Sequence, residues 1–338
     1  MMRRIMILAG LFLGLAGAAW FFGQGVLNKP MALPDGGLTV DVPAGMSLRA
    51  LGERLAAEDV LQYPTVLVAY ARLMGQASAI KAGEYEIAAG TTPRGLLQQL
   101  VEGRVRLHSL TIVEGWTTRD LVRALRKSSY IRFTESDADD KTLVRAVELP
   151  GPSPEGWFFP DTYRFPKGTT DRELLRMAHE RMQVVLDQAW AGRAAGLPLR
   201  SPYEALILAS IVEKETALDR ERPRVAGVLA RRLKAGMKLQ TDPTVIYGLG
   251  EDFTGDLTRR QLSRDSPYNT YTRTGLPPTP ISLPGEASIL AAVHPDDSDA
   301  LYFVASPERD GSHVFSATLR EHNAAVKKYL ESLRDNGK

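Results

Sequence analysis

An uncharged apolar run near the N-terminus is the strongest constraint on how this chain of 338 residues can fold. It extends from Ile5 to Phe22 and follows Arg3 and Arg4. About 18 or more apolar residues are enough for a helix to cross a bilayer. A cleaved signal peptide is the alternative, because Ala16-Gly17-Ala18 has the small residues of a cleavage site. The run continues past that site through Trp20, where an interfacial aromatic belt would lie, and this favours a retained membrane anchor.

Charge and composition indicate the compartment. The arginines before the run predict a cytoplasmic N-terminus and place the rest of the chain outside the cytoplasm. The chain has no cysteine, which excludes disulfides, thiol catalysis and Cys-ligated metals and suits an oxidising compartment. Lys and Arg number 42 against 40 Asp and Glu, so nothing indicates a nucleic-acid partner. We therefore predict a single-pass membrane protein whose functional part lies outside the cytoplasm.

The chain divides into four predicted segments. Residues 1–27 form the cytoplasmic tip and anchor, and residues 28–37 are rich in Pro, Gly and Asn and predict a linker. Residues 38–105 predict a unit of strand, helix, helix and strand, and residues 106–338 a larger domain of mixed structure. The predicted strands and helices of the smaller unit are Leu38–Val42, Ser47–Glu58, Pro64–Leu73 and Gly83–Ile87. The fold class is therefore α+β, with a transmembrane helix before it.

A short pattern, G-x-S/T-x3-L-x3-L, recurs three times, beginning at Gly45, Gly90 and Gly115. Its hydroxyl residue can cap a helix whose two leucines share one face. One interpretation is a general turn followed by a capped helix, and the other is sugar recognition. The unit at 38–105 resembles a LysM module, a small βααβ fold that binds glycans containing N-acetylglucosamine.

A helix with two acidic residues at its end is the first candidate for catalysis. Ser201-Pro202-Tyr203-Glu204 predicts a capping box, and residues 205–212 are apolar nearly all round, which predicts a buried helix. Glu213 and Glu215 follow, and periodicity does not choose between them. A carboxyl group held against apolar side chains has a raised pKa, as a general acid near neutral pH requires.

A salt bridge is the alternative role for Glu213, with Lys214, Arg220 or Arg222 as its partner. No cation lies three or four residues before Glu213, and both arginines lie beyond the predicted helix end. We therefore expect desolvation to dominate and Glu213 to be protonated near neutral pH.

Three long motifs carry a family resemblance: VEKET at 212–216, LQTDPTVIYG at 239–248 and YNTYTRTGLPP at 268–278. They resemble the endolytic murein transglycosylases of the YceG-like family, and the likeness covers most of the chain. The resemblance implies cleavage of the MurNAc–GlcNAc β-1,4 bond within nascent glycan strands of peptidoglycan, leaving 1,6-anhydro-MurNAc ends. It also implies that Glu213, the first Glu of VEKET, is the catalytic acid. Such an enzyme would be anchored in the inner membrane with its catalytic domain in the periplasm. It would act there beside peptidoglycan synthases (penicillin-binding proteins) and terminate glycan elongation.

This chemistry can proceed with one carboxyl group. Most glycosidases use two carboxylates, but here the C6 hydroxyl of the substrate attacks the anomeric carbon. One Glu can protonate the leaving oxygen and then accept the hydroxyl proton. The sequence shows no second carboxylate in a compelling position, which agrees with this route.

The substrate contacts follow from a weaker analogy with soluble lytic transglycosylases. Gln240, Tyr268, Asn269 and Tyr271 are expected to bind the glycan N-acetyl group or Glu213. Each has a structural alternative: a turn for Gln240, loop capping for Asn269 and packing for the tyrosines. The histidines show no metal-ligand spacing and no nucleotide motif is present, so we expect neither a metal nor a cofactor.

Two other functions are compatible with the same residues. The chain could be a non-catalytic peptidoglycan-binding scaffold of growth or division, in which Glu213 stays in a salt bridge. It could also be a hydrolytic muramidase, whose product ends differ from anhydro ends by one water.

Overall fold

The computed structural model describes residues 2–134, 147 and 149–335 of a mixed α+β protein. The chain folds as two compact units. The first contains Met1–His108 and Arg164–Thr169, and the second contains Ser109–Tyr163 and Thr170–Lys338. The chain leaves the first unit within strand β3 (Leu107–Thr111) and returns to it within β4 (Thr162–Pro166), and these two strands pair with each other. The expected α+β class is confirmed.

The N-terminal apolar run is a single helix, α1 (Met2–Asn28). Among the described residues, one stretch is long and apolar enough to cross a bilayer, and it is Met6–Asn28. The C-terminal end of α1 also belongs to the core of the first unit, because Leu27 is only 2% exposed there. One continuous helix therefore joins the candidate membrane span to the folded unit.

The first unit has the predicted order of strand, helix, helix and strand. Its strands pair antiparallel with Val40 opposite Tyr85, and both side chains are buried. The two central helices pack on each other, and a further helix completes the unit. The elements are β1 (Leu38–Val42), α2 (Leu48–Ala57), α3 (Pro64–Leu73), β2 (Gly83–Ile87) and α4 (Pro93–Glu102). The likeness to a LysM module stays a prediction.

The segment expected as a linker is fastened to this unit. The backbone N–H of Met31 donates to the Thr91 carbonyl at 2.9 Å, and that of Ala32 donates to the Val60 carbonyl at 3.2 Å. The Met31 side chain is buried. The Pro and Gly residues of this segment thus give it an irregular backbone, and the segment nevertheless packs on the first unit.

The recurring pattern forms turns and helix caps. Its three glycines have positive φ angles of 84°, 84° and 75°, which strain residues with a Cβ. Its hydroxyl residues each accept a hydrogen bond from the backbone three residues on; they are Ser47, Thr92 and Thr117. Local capping is enough to explain the repeat.

The second unit is mostly helical. Its helices are α5 (Thr118–Lys127), α6 (Asp171–Ala191), α7 (Pro202–Glu215), α8 (Arg222–Lys234), α9 (Asp242–Leu249), α10 (Arg259–Ser263), α11 (Glu286–Val293) and α12 (Leu319–Asp335). Strands β5 (Tyr302–Ala305) and β6 (His313–Ser316) form an antiparallel hairpin.

Helix α7 is the centre of the second unit, as its apolar sequence predicts. Residues 205–212 are all buried, and α7 packs against α6, α8, α9 and α11. The Ser210 hydroxyl accepts from the Ile281 N–H at 3.0 Å, and the Ser282 hydroxyl donates to the Ser210 carbonyl at 3.0 Å. These bonds fix the segment before α11 along α7.

The predicted capping box of α7 is only half formed. Ser201 accepts from the Glu204 N–H, but the Glu204 carboxylate accepts from the Arg200 N–H at 2.7 Å. The prediction of a reciprocal bond from the Ser201 N–H to the Glu204 carboxylate is therefore wrong. Arg200 Nε also donates to that carboxylate, at 3.2 Å.

Candidate active site

Glu213 lies in the last turn of α7 with its side chain only 6% exposed. Its Oε2 accepts a hydrogen bond from the Gly285 N–H at 3.0 Å. Gly285 is the N-cap residue of α11, and the start of a helix favours a nearby negative charge. The carboxyl group is therefore held in one place by backbone.

A cation faces Glu213, contrary to expectation. Arg222 Nη2 lies 3.6 Å from Glu213 Oε1, and the Arg222 side chain is 6% exposed. Arg222 lies beyond the end of α7, as the sequence predicts, but it is the first residue of α8, which packs against α7 and brings the guanidinium to Glu213. Arg222 also contacts the exposed Asp219.

The residue before Arg222 fixes the start of α8. Glu221 is buried, and its carboxylate accepts from the His313 N–H at 3.0 Å. The second Glu221 oxygen lies 2.8 Å from His313 Nδ1. Strand β6 thus holds the turn that places Arg222 beside Glu213.

Glu114 is a second carboxyl group at this site, and the sequence reasoning missed it. Its Oε2 lies 3.9 Å from the same Arg222 Nη2, and its side chain is half exposed. Burial and the Glu213 carboxylate raise the pKa of Glu114, while Arg222 partly offsets them. A side-chain carbon on Gly285 would overlap the Glu114 carboxyl group, so a larger residue there would displace Glu114. A second carboxyl group is therefore well placed at this site, contrary to the expectation from the sequence.

The loop that carries Glu114 is fastened to the end of α7. The Gly115 N–H donates to the Leu283 carbonyl at 2.9 Å, and Lys214 Nζ donates to the Gly115 carbonyl at 3.2 Å. In the sequence, Glu114 directly precedes Gly115, the glycine of the third copy of the recurring pattern. This position is the one signal that could have marked Glu114 as a candidate.

A buried carboxyl group supports the same loop. Glu155 accepts from the Thr118 N–H at 2.9 Å, from the Thr118 hydroxyl at 3.2 Å and from the Tyr247 hydroxyl at 3.0 Å. Burial raises the pKa of Glu155 to about 7, and these hydrogen bonds offset part of the effect. Thr118 is the first residue of α5, so Glu155 holds the chain just after Glu114.

Glu215 lies on the other side of α7, since two residues turn a helix by about 200°. Burial and the Asp242 carboxylate raise the pKa of Glu215 to about 8, and Arg232 opposes them. The end of α7 thus presents two differently placed carboxyl groups.

Two predicted substrate residues lie near Glu215. The Tyr271 hydroxyl donates to Asp242 Oδ1 at 2.6 Å. Burial raises the pKa of Tyr271, and the Asp242 and Glu215 carboxylates add to this effect. Gln240 is exposed, has a φ angle of 54°, and donates its N–H to the Thr270 carbonyl at 3.1 Å. A positive φ is uncommon for Gln and marks a tight turn.

The other two have structural contacts. Asn269 is 1% exposed; its amide donates to the Arg264 and Leu262 carbonyls at 2.7 and 3.0 Å. The Tyr268 hydroxyl lies 2.9 Å from Thr279 Oγ1. These contacts are loop capping and packing. No hydrogen bond in the described part of the chain joins Gln240, Tyr268, Asn269 or Tyr271 to Glu213.

The family model of the YceG-like family matches residues 40–328. The chain belongs to the YceG-like family. An endolytic murein transglycosylase of Bacillus subtilis is 30% identical over 94% of this chain and 91% of the relative. An endolytic murein transglycosylase of Streptococcus pneumoniae is 25% identical over 95% of this chain, but the chain spans only 64% of that relative's length.

A solved structure agrees with this assignment. The 2.6 Å crystal structure of a YceG-like protein of Listeria monocytogenes is 29% identical, with a TM-score of 0.53. The match covers 86% of this chain and 99% of that one. The family resemblance of the three motifs is confirmed.

The two carboxyl groups beside Arg222 predict that the pKa of Glu114 depends on Glu213. In Glu213→Gln, the pKa of Glu114 should fall, because one of the two influences that raise it is removed. It should stay above the ordinary value, because burial persists. Carbon-13 NMR of labelled glutamate carboxyl groups measures it. Glu215→Gln is the matched control and should leave Glu114 unchanged; an equal shift there would contradict the arrangement.

The buried Glu155 predicts a pH-dependent stability. The pKa of Glu155 is higher in the folded state than in the unfolded state, where it is about 4.5. The contribution of Glu155 to the free energy of unfolding is therefore fully present below about pH 4.5 and is lost as the pH rises through about 7. Glu155→Gln should reduce the loss between pH 5 and 8 by on the order of 1–3 kcal/mol. Urea unfolding at several pH values measures it. Exposed Glu286→Gln is the control, and equal slopes for wild type and Glu155→Gln would contradict the prediction.

Proposed function

We propose that this protein is an endolytic murein transglycosylase, which cleaves MurNAc–GlcNAc β-1,4 bonds inside glycan strands and leaves 1,6-anhydro-MurNAc ends. The observation that carries the proposal is the Glu213 carboxyl group, held by the Gly285 N–H and Arg222 at the end of the buried helix of a YceG-like fold. The relatives that carry this activity in their names support the substrate class.

The acid step takes place where two carboxyl groups meet. Glu114 and Glu213 both face Arg222 Nη2. Burial and the Glu213 carboxylate raise the pKa of Glu114. In the proposed reaction Glu213 gives a proton to the glycosidic oxygen as the bond from that oxygen to C1 breaks.

The second step returns the proton. The C6 hydroxyl oxygen of the same MurNAc forms a new bond to C1, and its proton passes to the Glu213 carboxylate. No water is consumed, and the carboxyl group regains its starting state. Half-exposed Glu114 lies beside the reacting group, where its charge favours the positive character that develops at C1.

The remaining roles follow the exposure of the side chains. We assign Gln240 and Tyr271 to glycan contacts, since Gln240 is exposed and Tyr271 is partly exposed. Tyr268 and Asn269, which the sequence placed among the substrate contacts, would shape the loop that carries Tyr271. In this proposal residues 38–105 form the LysM-like glycan-binding subdomain and residues 106–338 the catalytic domain.

The location follows from α1. We assign a single-pass anchor with a cytoplasmic N-terminus and a periplasmic catalytic domain, where nascent glycan strands emerge from peptidoglycan synthases. Acting there, the enzyme would terminate glycan elongation.

The first test of the function is Glu213→Gln. The variant should bind glycan strands but lose cleavage by at least about a hundredfold, the usual contribution of a general acid. Mass spectrometry of purified strands incubated with each protein measures it. Glu215→Gln changes a carboxyl group on the other side of the same helix and should retain cleavage.

The product mass separates the alternatives. Anhydro ends support the transglycosylase, ends one water heavier support a muramidase, and binding without cleavage by the wild type supports a scaffold. Retained activity in Glu213→Gln with loss in Glu215→Gln would move the acid to Glu215.

The anchor has its own test. We expect mature protein to retain residues 5–23, because the apolar run passes the Ala16-Gly17-Ala18 site. N-terminal sequencing of protein purified from membranes checks this, and a mature N-terminus near Ala19 would contradict it.

A further inference from the structure

Exposed apolar side chains of the first unit concentrate on one helix. Between residues 29 and 108, all of which are described, four large apolar side chains are exposed, and three of them belong to α3 or lie directly beside it. Tyr63 is 39% exposed, Leu73 69% and Met74 53%. Such a concentration marks a contact surface rather than scattered exposure.

These residues continue a stripe along α3. Tyr63, Val66, Tyr70 and Leu73 are spaced by three, four and three residues, which places them on one face of the helix. A neighbouring face, with Leu67, Val68 and Ala71, is buried in the unit. α3 therefore has a second apolar face, here called the outward face. Val66 and Tyr70 in its middle are partly buried, and Tyr63 and Leu73 at its ends are exposed.

The outward face meets α1. The Phe22 and Tyr63 rings pack edge to face with centroids 5.6 Å apart. A methyl group on Gly23 would lie 3.9 Å from Val66.

Arg94 extends this contact. Its Nη2 donates to Gln24 Oε1 at 2.5 Å, and its guanidinium lies 5.1 Å from the centre of the Tyr70 ring. From Phe22 to Gln24 α1 rises about 3 Å, while α3 advances about 10 Å between Tyr63 and Tyr70. The outward face of α3 thus runs across α1.

The crossing coincides with the end of the membrane span. A hydrocarbon core of about 30 Å takes about 20 helical residues, and counted from Met6 this ends near Gly25. Exposed Trp20, Phe21 and Phe22 lie in the preceding turn, at the level where aromatic residues contact lipid headgroups.

The charges around α3 suit an anionic surface. No Asp or Glu occurs between Asp59 and Glu84, whereas Arg72 and Lys81 lie in that interval. Arg72 is exposed beside Leu73. Basic and apolar residues together are the composition of helices that lie in a membrane interface.

We propose that α3 lies on the bilayer that α1 spans, with Tyr63, Leu73 and Met74 in the lipid headgroup region and Arg72 against lipid phosphate. The proposal rests on the retained anchor of the proposed function and is independent of glycan cleavage. The surface would hold the first unit against the membrane.

The absence of cysteine from the sequence permits a direct test. The full chain carrying Leu73→Cys is spin-labelled in phosphatidylcholine nanodiscs, with and without phosphatidylglycerol. Collisions with oxygen and with a water-soluble nickel complex then report the depth of the label. The matched control is Glu53→Cys, because Glu53 is exposed on α2, which packs on α3.

The expected result is a several-fold higher ratio of oxygen to nickel collisions at position 73 than at position 53, increased further by phosphatidylglycerol. A water-exposed label at position 73 in both lipid mixtures overturns the proposal. Equal shielding at both positions also overturns it, since the unit would then adsorb without orientation. If dilution of the protein removes the shielding at position 73, the proposal is overturned, and a second copy of the protein covers α3 instead of the bilayer. Cleavage assays on the same samples are read separately, so a failure of the proposed function is distinguishable.

Discussion

One buried guanidinium organises the candidate active site. Arg222 faces two carboxyl groups, Glu213 and Glu114, that come from chain segments about a hundred residues apart. Its own position depends on Glu221, which β6 holds through His313. Removing Arg222 would leave the buried Glu213 carboxyl group without its cation, and breaking a buried ion pair in this way costs about 3–5 kcal/mol. The end of α7, the start of α8 and the loop before α5 therefore meet at these three side chains.

Backbone groups complete the arrangement. The segment between residues 281 and 285 follows α7 through two serine hydrogen bonds and ends at the N–H that binds Glu213. Residues 281–285 are all buried, so packing as well as these hydrogen bonds fixes the path of the segment. A side chain at position 285 would displace the Glu114 carboxyl group.

The sequence predicts the local structure well and the site only in part. Periodicity and turn residues correctly predicted α2, α3, β1, β2 and the buried character of α7, because each depends on neighbours in the chain. Glu114 was missed because its partners are remote in sequence and only the packing of α8 and α11 brings them together. Asn269 was expected at the substrate for its motif, but its amide satisfies loop carbonyls, and a motif does not reveal which atoms a side chain bonds. The packing of the predicted linker against the first unit was not predicted, because Pro and Gly indicate irregular backbone without indicating whether it packs.

The continuity of α1 with the first unit has a consequence for membranes of different thickness. A helix on a flexible tether can tilt to match a bilayer without disturbing the domain that it carries. Here Leu27 and Met31 are buried in the core of the unit, so the helix and the unit would move together. Tilting by 10° to 20°, within the range of membrane helices, would turn the whole first unit by the same angle. Lipid composition would then set the orientation of the unit mechanically, with no ligand involved.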